Sequence, residues 1–299
     1  MAEHGLAVAG FAHIFFEMLV ADMDVYIGFD SAWADNPKAP GAICAIAFND
    51  GTPVRFHAPQ LVSFDQAVAF IRKARFEGGN TLIALDQPTV VPNLTSMRPV
   101  ERAAASLVSW LGGGVQPANR GRLGMFCDAS PIWRFLDMIG AIQDPEESRT
   151  ASTGLYLIEV FPALALASLG DCFFGRKGGP RYNPARKKTF RLIDWVRVAE
   201  IAAQEASAFG CNSLAAWCRD AGRIADPRKA DQDMMDSVLC ALIAMHWRLR
   251  PREASLLLGD LTTGYMVLPA SPKVREYLIE PARMCSVKVD GAIPHVSTT

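Results

Sequence analysis

Apolar residues in this chain fall into short, nearly unbroken runs separated by stretches of helical spacing. The spacing predicts a strand over 25–29, a second over 41–48 and a third over 54–58, with Asn49-Asp50-Gly51 as a hairpin turn between the last two. Residues 64–76 repeat apolar positions at helical intervals (Val68, Ile71, Phe76) until Gly78-Gly79-Asn80 stops them. Residues 81–85 form a continuous apolar run, as expected of a strand covered on both faces. Hairpins followed by a crossover to a central strand imply a mixed sheet with helices packed on it.

Beyond 88 the pattern is less regular. A helix is predicted over 100–111, a strand over 155–160, and a helix starting at Pro162. A basic loop over 175–188 precedes helices over 189–208, 213–221 and 232–247, the last being the most apolar in the chain. Residues 265–268 read as a short late strand. No internal repeat, low-complexity segment or convincing linker divides the chain, so it reads as one domain with insertions. Residues 1–22 are an N-terminal extension. Its apolar stretch 6–20 is broken by His13 and Glu17, is too short to span a bilayer, and lacks the basic start of a signal peptide. It reads either as an extra helix or as the product of a start codon upstream of Met23, and Met23 standing directly before the first strong strand favours the second.

Against this apolar background, acidic residues occupy unusual positions. Asp30 ends the first strand, Asp86 the fourth, and Glu159 the strand after it, while Asp233 and Asp236 open the long apolar helix. Each has a plainer role when taken alone. Asp30 and Asp86 suit turn starts, and Asp231, Asp233 and Asp236 suit the positive end of a helix dipole. Glu159 is harder to explain that way, because Glu is a poor strand residue. As a set, carboxylates at strand C-terminal ends converge on the edge where open sheets bind ligands, and desolvating them requires a positive partner. Two Mg²⁺ ions held by such carboxylates can clamp the attacking and leaving oxygens of a phosphodiester.

Composition narrows the alternatives. Of 299 residues half are hydrophobic and a fifth charged, enough for a sizeable core, and the net charge is −1. Any nucleic-acid contact must therefore come from a local basic patch. Seven cysteines without CxxC pairing and five histidines without ligand spacing argue against a zinc site or a disulfide framework, and fit a reducing cytoplasm.

Five segments occur in order: Gly28-Phe29-Asp30-Ser31-Ala32, Ala84-Leu85-Asp86-Gln87-Pro88, Met97-Arg98-Pro99-Val100-Glu101-Arg102, Glu159-Val160-Phe161-Pro162, and the helix from Asp233 through Asp236 to Ala241. The series resembles the domain-of-unknown-function family 429, predicted nucleases of the ribonuclease H-like fold, over roughly 24–269. The resemblance implies an α/β fold with a five-stranded mixed sheet and flanking helices, a single domain over 23–299 with helical insertions at about 89–152 and 163–230, and a Mg²⁺ or Mn²⁺ site. Asp30, Asp86 and Asp236 would be the metal ligands, with Asp233 beside Asp236; Glu159 belongs to the pattern without an assigned ligand role.

The resulting expectation is a metal-dependent nuclease acting on DNA or RNA by a two-metal mechanism, with Asp30, Asp86, Asp233, Asp236 and Glu159 catalytic. Arg98, held by Glu101, is expected to contact phosphate, although a helix start with a solvated ion pair explains both residues equally well. The run Arg176, Lys177, Arg181, Arg186, Lys187, Lys188 and Arg191 is expected to track a nucleic-acid backbone, with Tyr182 stacking on a base; the plainer alternative is a solvated loop. Trp33 fits packing better than base stacking. Two other readings stay open: a non-catalytic nucleic-acid or metabolite binder of the same fold, and an actin-like ATP-dependent phosphotransferase, which would need a duplicated domain and glycine-rich phosphate loops. No membrane is expected as a partner, and the oligomeric state is open.

Overall fold

The computed structural model describes residues 23–294, so the expectations for the 1–22 extension fall outside it. Five strands form one sheet: β1 (Met23–Asp30), β2 (Gly41–Asn49), β3 (Thr52–Val62), β4 (Asn80–Leu85) and β5 (Gly154–Glu159), in the order β3-β2-β1-β4-β5. β1, β2 and β3 are antiparallel neighbours; β4 lies parallel to β1, and β5 parallel to β4. The β2–β3 turn places Asp50 at φ 50° and Gly51 at φ 74°. Two consecutive left-handed residues are what a two-residue hairpin with matched strand twist requires. β3 is the exposed edge and carries Pro53 and Pro59, whose missing N–H groups an edge tolerates.

Alternation along the strands sorts the side chains to two faces. Val25, Ile27, Phe29, Ile83, Leu85 and Leu157 pack with α1 (Phe64–Ala74) and α3 (Pro131–Ile139). Ser63 starts α1 through a capping box with Gln66. Tyr26, Cys44, Ile46, Leu82, Ala84 and Ile158 face α6 (Leu192–Ala208), α7 (Asn212–Gly222) and α8 (Lys229–Leu249). A third cluster joins α2 (Pro99–Trp110), α5 (Pro162–Leu169), a two-stranded sheet of β6 (Ser255–Asp260) and β7 (Gly264–Pro269), and α9 (Pro272–Met284). A bridge from Val160 to Val267 ties this cluster to the C-terminal end of β5. The short α4 (Pro145–Thr150) precedes β5.

α8 lies so close to the sheet that a methyl group on Gly28 would stand 1.9 Å from the Ser237 carbonyl oxygen and 2.4 Å from the Ala241 nitrogen. A glycine at this point of β1 lets the helix backbone rest directly on the strand. The Cys44 thiol donates to the same Ser237 carbonyl at 3.4 Å. This contact sets the helix depth one residue from Asp236 and two residues from Asp30.

Several elements differ from the expected bounds. α8 begins at Lys229 rather than at 232, because its first turn is polar and Asp231 accepts a bond from the Arg228 N–H at 2.7 Å, acting as a cap. α6 begins at Leu192 rather than 189; Thr189 and Phe190 close turns onto the Arg186 carbonyl instead, and the Arg191 N–H donates to the Arg181 carbonyl at 2.8 Å. β3 outlasts the predicted 54–58 because an exposed edge strand lacks an apolar run. α3, α4, β6 and α9 are additional, and the Ser271-Pro272 start of α9 was a readable signal. No helix among the described residues is long and apolar enough to cross a membrane.

Candidate functional site

The parallel register brings two of the predicted acids side by side. Phe29 pairs with Leu85, and the Asp86 N–H donates to the Phe29 carbonyl at 2.9 Å. Asp30 and Asp86 are thus the next neighbours in register. Both share the parity of Gly28 and Ala84, the face covered by α8. Asp236 on α8 is delivered to the same place by the close approach at Gly28. The three carboxylates act on one another. Burial pushes Asp30 well above the usual carboxylate range, and the charges of Asp236 and Asp86 push it further. Burial does the same to Asp86, followed by Asp236 and Glu159. Burial raises Asp236 to about 6, against the pull of the Tyr182 hydroxyl.

Both oxygens of Asp236 are engaged: the Tyr182 hydroxyl donates to Oδ1 at 2.6 Å, and the Gln232 amide donates to Oδ2. Asp233, one turn back, is held by Lys229. The Lys229 ammonium favours the ionised forms of Asp30, Asp86 and Asp236. Burial works against its own charge, but Asp30 and Asp233 outweigh burial and leave its pKa raised. Neither Lys229 nor Gln232 was singled out from the sequence. Each stands four residues before the acid it contacts, a spacing that puts both members on one helical face and could have marked them.

Local packing fixes the strand ends. Gln87 is fully buried; its carbonyl accepts from the Ser31 hydroxyl and its amide donates to the Trp33 carbonyl at 3.2 Å. The Trp33 indole donates to the Asp86 carbonyl at 3.0 Å and packs edge-on against Phe126. Gln87 and Trp33 therefore lock the loop after β1 to the end of β4, so Asp30 and Asp86 cannot drift apart independently. Trp33 packs, as expected.

Four predicted roles need correction. Arg98 does not face a substrate phosphate: its side chain is 0% exposed. It lies between Glu101 (Nε to Oε1, 2.9 Å) and Glu159, which it grips with both terminal nitrogens at 2.9 and 2.5 Å. Glu101 holds Arg98 as expected and also accepts from the Ala118 N–H, but no solvated pair results. Glu159 falls on the opposite strand parity to Ala84 and Asp86, accepts the Thr89 N–H at 3.1 Å, and is spent on Arg98. Burial raises its pKa against the pull of that guanidinium. The triad joins α2, β5 and the loop after Asp86, which makes it a brace in the wall of the cleft, where Glu101 and Glu159 are among the lining residues. Tyr182 does not offer its ring to a base, because the ring is in the core and its hydroxyl serves Asp236. Lys187 and Lys188 are exposed and lie outside the cleft, and of the basic run it is Arg181 and Arg186 that line it.

The cleft is a cavity of about 420 Å³ whose lining includes Trp33, Asp86, Phe161, Arg181, Arg186 and Asp236. Asp86 and Asp236 offer it hard oxygen donors of the kind that suit Mg²⁺ or Mn²⁺, while Asp30 is not among the residues that line it. Among the described residues, no three His, Cys, Asp or Glu side chains already stand as a metal-binding cluster. The donor set fits a hard cation in charge and chemistry, short of a finished coordination shell.

A family model described as "Protein of unknown function (DUF429)" matches residues 28–260. The match spans more than half the chain, and the protein belongs to that family. No curated protein and no solved structure matches the chain significantly.

Proposed function

We propose that this protein is a metal-dependent nuclease of the ribonuclease H-like fold, hydrolysing phosphodiester bonds of nucleic acid. The observation that carries the reading is the placing of two buried carboxylates, Asp30 at the end of β1 and Asp236 on α8, with the partly buried Asp86 just after β4, at one sheet edge beside a cleft carrying two arginines. The five-stranded mixed sheet in the order β3-β2-β1-β4-β5 supports the fold assignment. Asp30, Asp86 and Asp236 would hold the cation, whose chemistry is Lewis-acid polarisation of a phosphoryl oxygen and a bound water of lowered pKa. Tyr182 and Gln232 orient Asp236. Lys229 balances the cluster's charge, and Arg181 and Arg186 receive the phosphates of the strand in the cleft.

The test is calorimetric Mn²⁺ titration together with cleavage of labelled single strands, duplexes and junctions of DNA and RNA in Mg²⁺ or Mn²⁺. Wild type is expected to bind and cut, and Asp30→Asn and Asp86→Asn to do neither while melting as folded proteins. Cleavage by Asp86→Asn at the wild-type rate would refute the assignment. A second reading, a non-catalytic nucleic-acid binder, is favoured by one observation: Lys229 already supplies a cation to these acids. Nucleic-acid binding without Mn²⁺ binding would decide for it. An actin-like phosphotransferase needs a duplicated domain, whereas the described residues form one five-stranded sheet and one two-stranded sheet; an ATP-binding assay tests it.

A further inference from the structure

The walls of the cleft restrict what can reach Asp86 and Asp236. One wall is the turn after α2, Gly112 to Gln116, and it is pinned to the basic loop at two points: the Lys177 N–H donates to the Trp110 carbonyl at 2.7 Å, and the Gly179 N–H to the Leu111 carbonyl at 2.9 Å. Packing is close here, since a methyl on Gly179 would stand 2.9 Å from that same Leu111 oxygen. Arg181 follows directly, its N–H tied to Asp194 Oδ2 at 3.0 Å. Trp33 also lines the cleft, fixed by its bond to the Asp86 carbonyl and by Phe126. These walls are held by main-chain bonds and packed rings, so opening them costs several such bonds together.

Two further features concern the ligand. Arg191 and Arg197 of the same region pair with Asp194, while Arg181 and Arg186 pair with no carboxylate among the described residues, although both line a cleft containing buried acids. Gln232, only 7% exposed and also lining the cleft, has a carbonyl oxygen without a hydrogen-bond partner. Two guanidinium groups without a carboxylate partner among the described residues, lining the same cleft as Asp86 and Asp236, form a binding surface for a phosphodiester. A volume of about 420 Å³ lies at the lower end of the range that encloses one small organic ligand. A double helix is far wider, its major groove alone spanning about 12 Å.

We propose that the cleft admits one unpaired nucleotide of a single-stranded nucleic acid, with Arg181 and Arg186 holding its flanking phosphates. Intact duplex is excluded because a cleft sized for one small ligand cannot take in a base that stays stacked and paired, so the duplex stops at the rim. The inference deepens the nuclease reading and rests on the same site.

The experiment uses the full chain and a fluorescein-labelled 12-nucleotide single strand, compared by anisotropy with the same sequence as a blunt duplex, with and without Mg²⁺. The single strand is expected to bind at least about tenfold tighter. Arg181→Ala and Arg186→Ala are each expected to weaken it about five- to tenfold and to reduce the salt slope by about one, a signature that a merely structural arginine would not give. Equal affinity for duplex, or arginine variants with wild-type affinity and salt slope, would overturn the proposal. A cleavage arm separates the two readings. Duplex interiors cut as fast as single strands would sink this inference and leave the nuclease standing. Single-strand binding without any cleavage would sink the nuclease and leave this inference standing. No binding and no cleavage would end both.

Discussion

Replacing Arg98 by methionine tests most directly whether this arginine is a brace or a substrate contact. The substitution keeps much of the side-chain volume and deletes the charge. In the native fold Arg98 satisfies Glu159 through two bonds, Glu101 through one and the Val90 carbonyl at 3.0 Å, and all three side chains are at most 2% exposed. Without it, two carboxylates are buried near each other with no cation. Breaking a buried ion pair by removing one partner costs about 3–5 kcal/mol. The alternative open to the folded protein is to protonate one acid. From a free Glu pKa near 4.3, at pH 7 this costs about 2.7 × 1.36, or roughly 3.7 kcal/mol, so both routes give a loss of about 4 kcal/mol. At pH 5 the protonation route costs only about 1 kcal/mol by the same arithmetic, so the deficit must shrink in acid. Urea unfolding of Arg98→Met and wild type at pH 7 and pH 5 measures this, and Glu159→Gln in the variant background should recover part of the loss at pH 7. A deficit below about 1 kcal/mol, equal at both pH values, is what a solvent-facing arginine would give, and it would refute the brace.

Gly28→Ala should be among the most damaging single-methyl insertions in the sheet, because the new carbon would meet α8 backbone at 1.9 Å. A loss of about 1–3 kcal/mol or more in chemical denaturation is expected, and a weaker Mn²⁺ signal in calorimetry because Asp236 moves with the helix. In metal-free protein, Asp30, Asp86 and Asp236 have folded pKa values above their unfolded ones, so the unfolded state releases their protons first and stability falls as pH rises from about 4 through about 6. Melting scans at pH 5 and pH 7.5 should show this fall, and Asp30→Asn should flatten it; a wild-type Tm rising across that interval would contradict the clustering. Lys229→Met removes the cation acting on these acids; it should lower the metal-free Tm and tighten Mn²⁺ binding several-fold by calorimetry, and unchanged Mn²⁺ affinity would show that the ammonium does not act at the cation position.

Much of the architecture was legible because strand and helix periods are local properties. The apolar runs ending at Asp30, Asp86 and Glu159 gave three strands of the sheet and the edge at which they finish, the Asp50-Gly51 turn gave the hairpin, and the unbroken apolar stretch from Val238 gave the central helix. Elements carried by exposed or short patterns were not legible. β3 extends past its expected ends because an edge strand needs no apolar run, β6 offers only the three apolar residues Leu256 to Leu258, and α3 is a nine-residue helix within a stretch of irregular pattern. The convergence of Asp30 with Asp86 was implied by two strand ends lying on one edge; the arrival of Asp236 required the depth of α8, which a missing side chain at Gly28 permits.

The chain alone determined that acids interrupt apolar segments, and hence that carboxylates would lie at the border of the core. Only the tertiary structure decided what each acid or base meets there. Arg98 and Glu159 are 61 residues apart and become a buried pair through strand parity and the placement of α2. Tyr182 and Asp236 are 54 apart and share a hydrogen bond because the basic loop folds back over α8. A residue's charge is written in its side chain, but its solvation and its partner are properties of the space around it, and that space is assembled from segments distant in the chain.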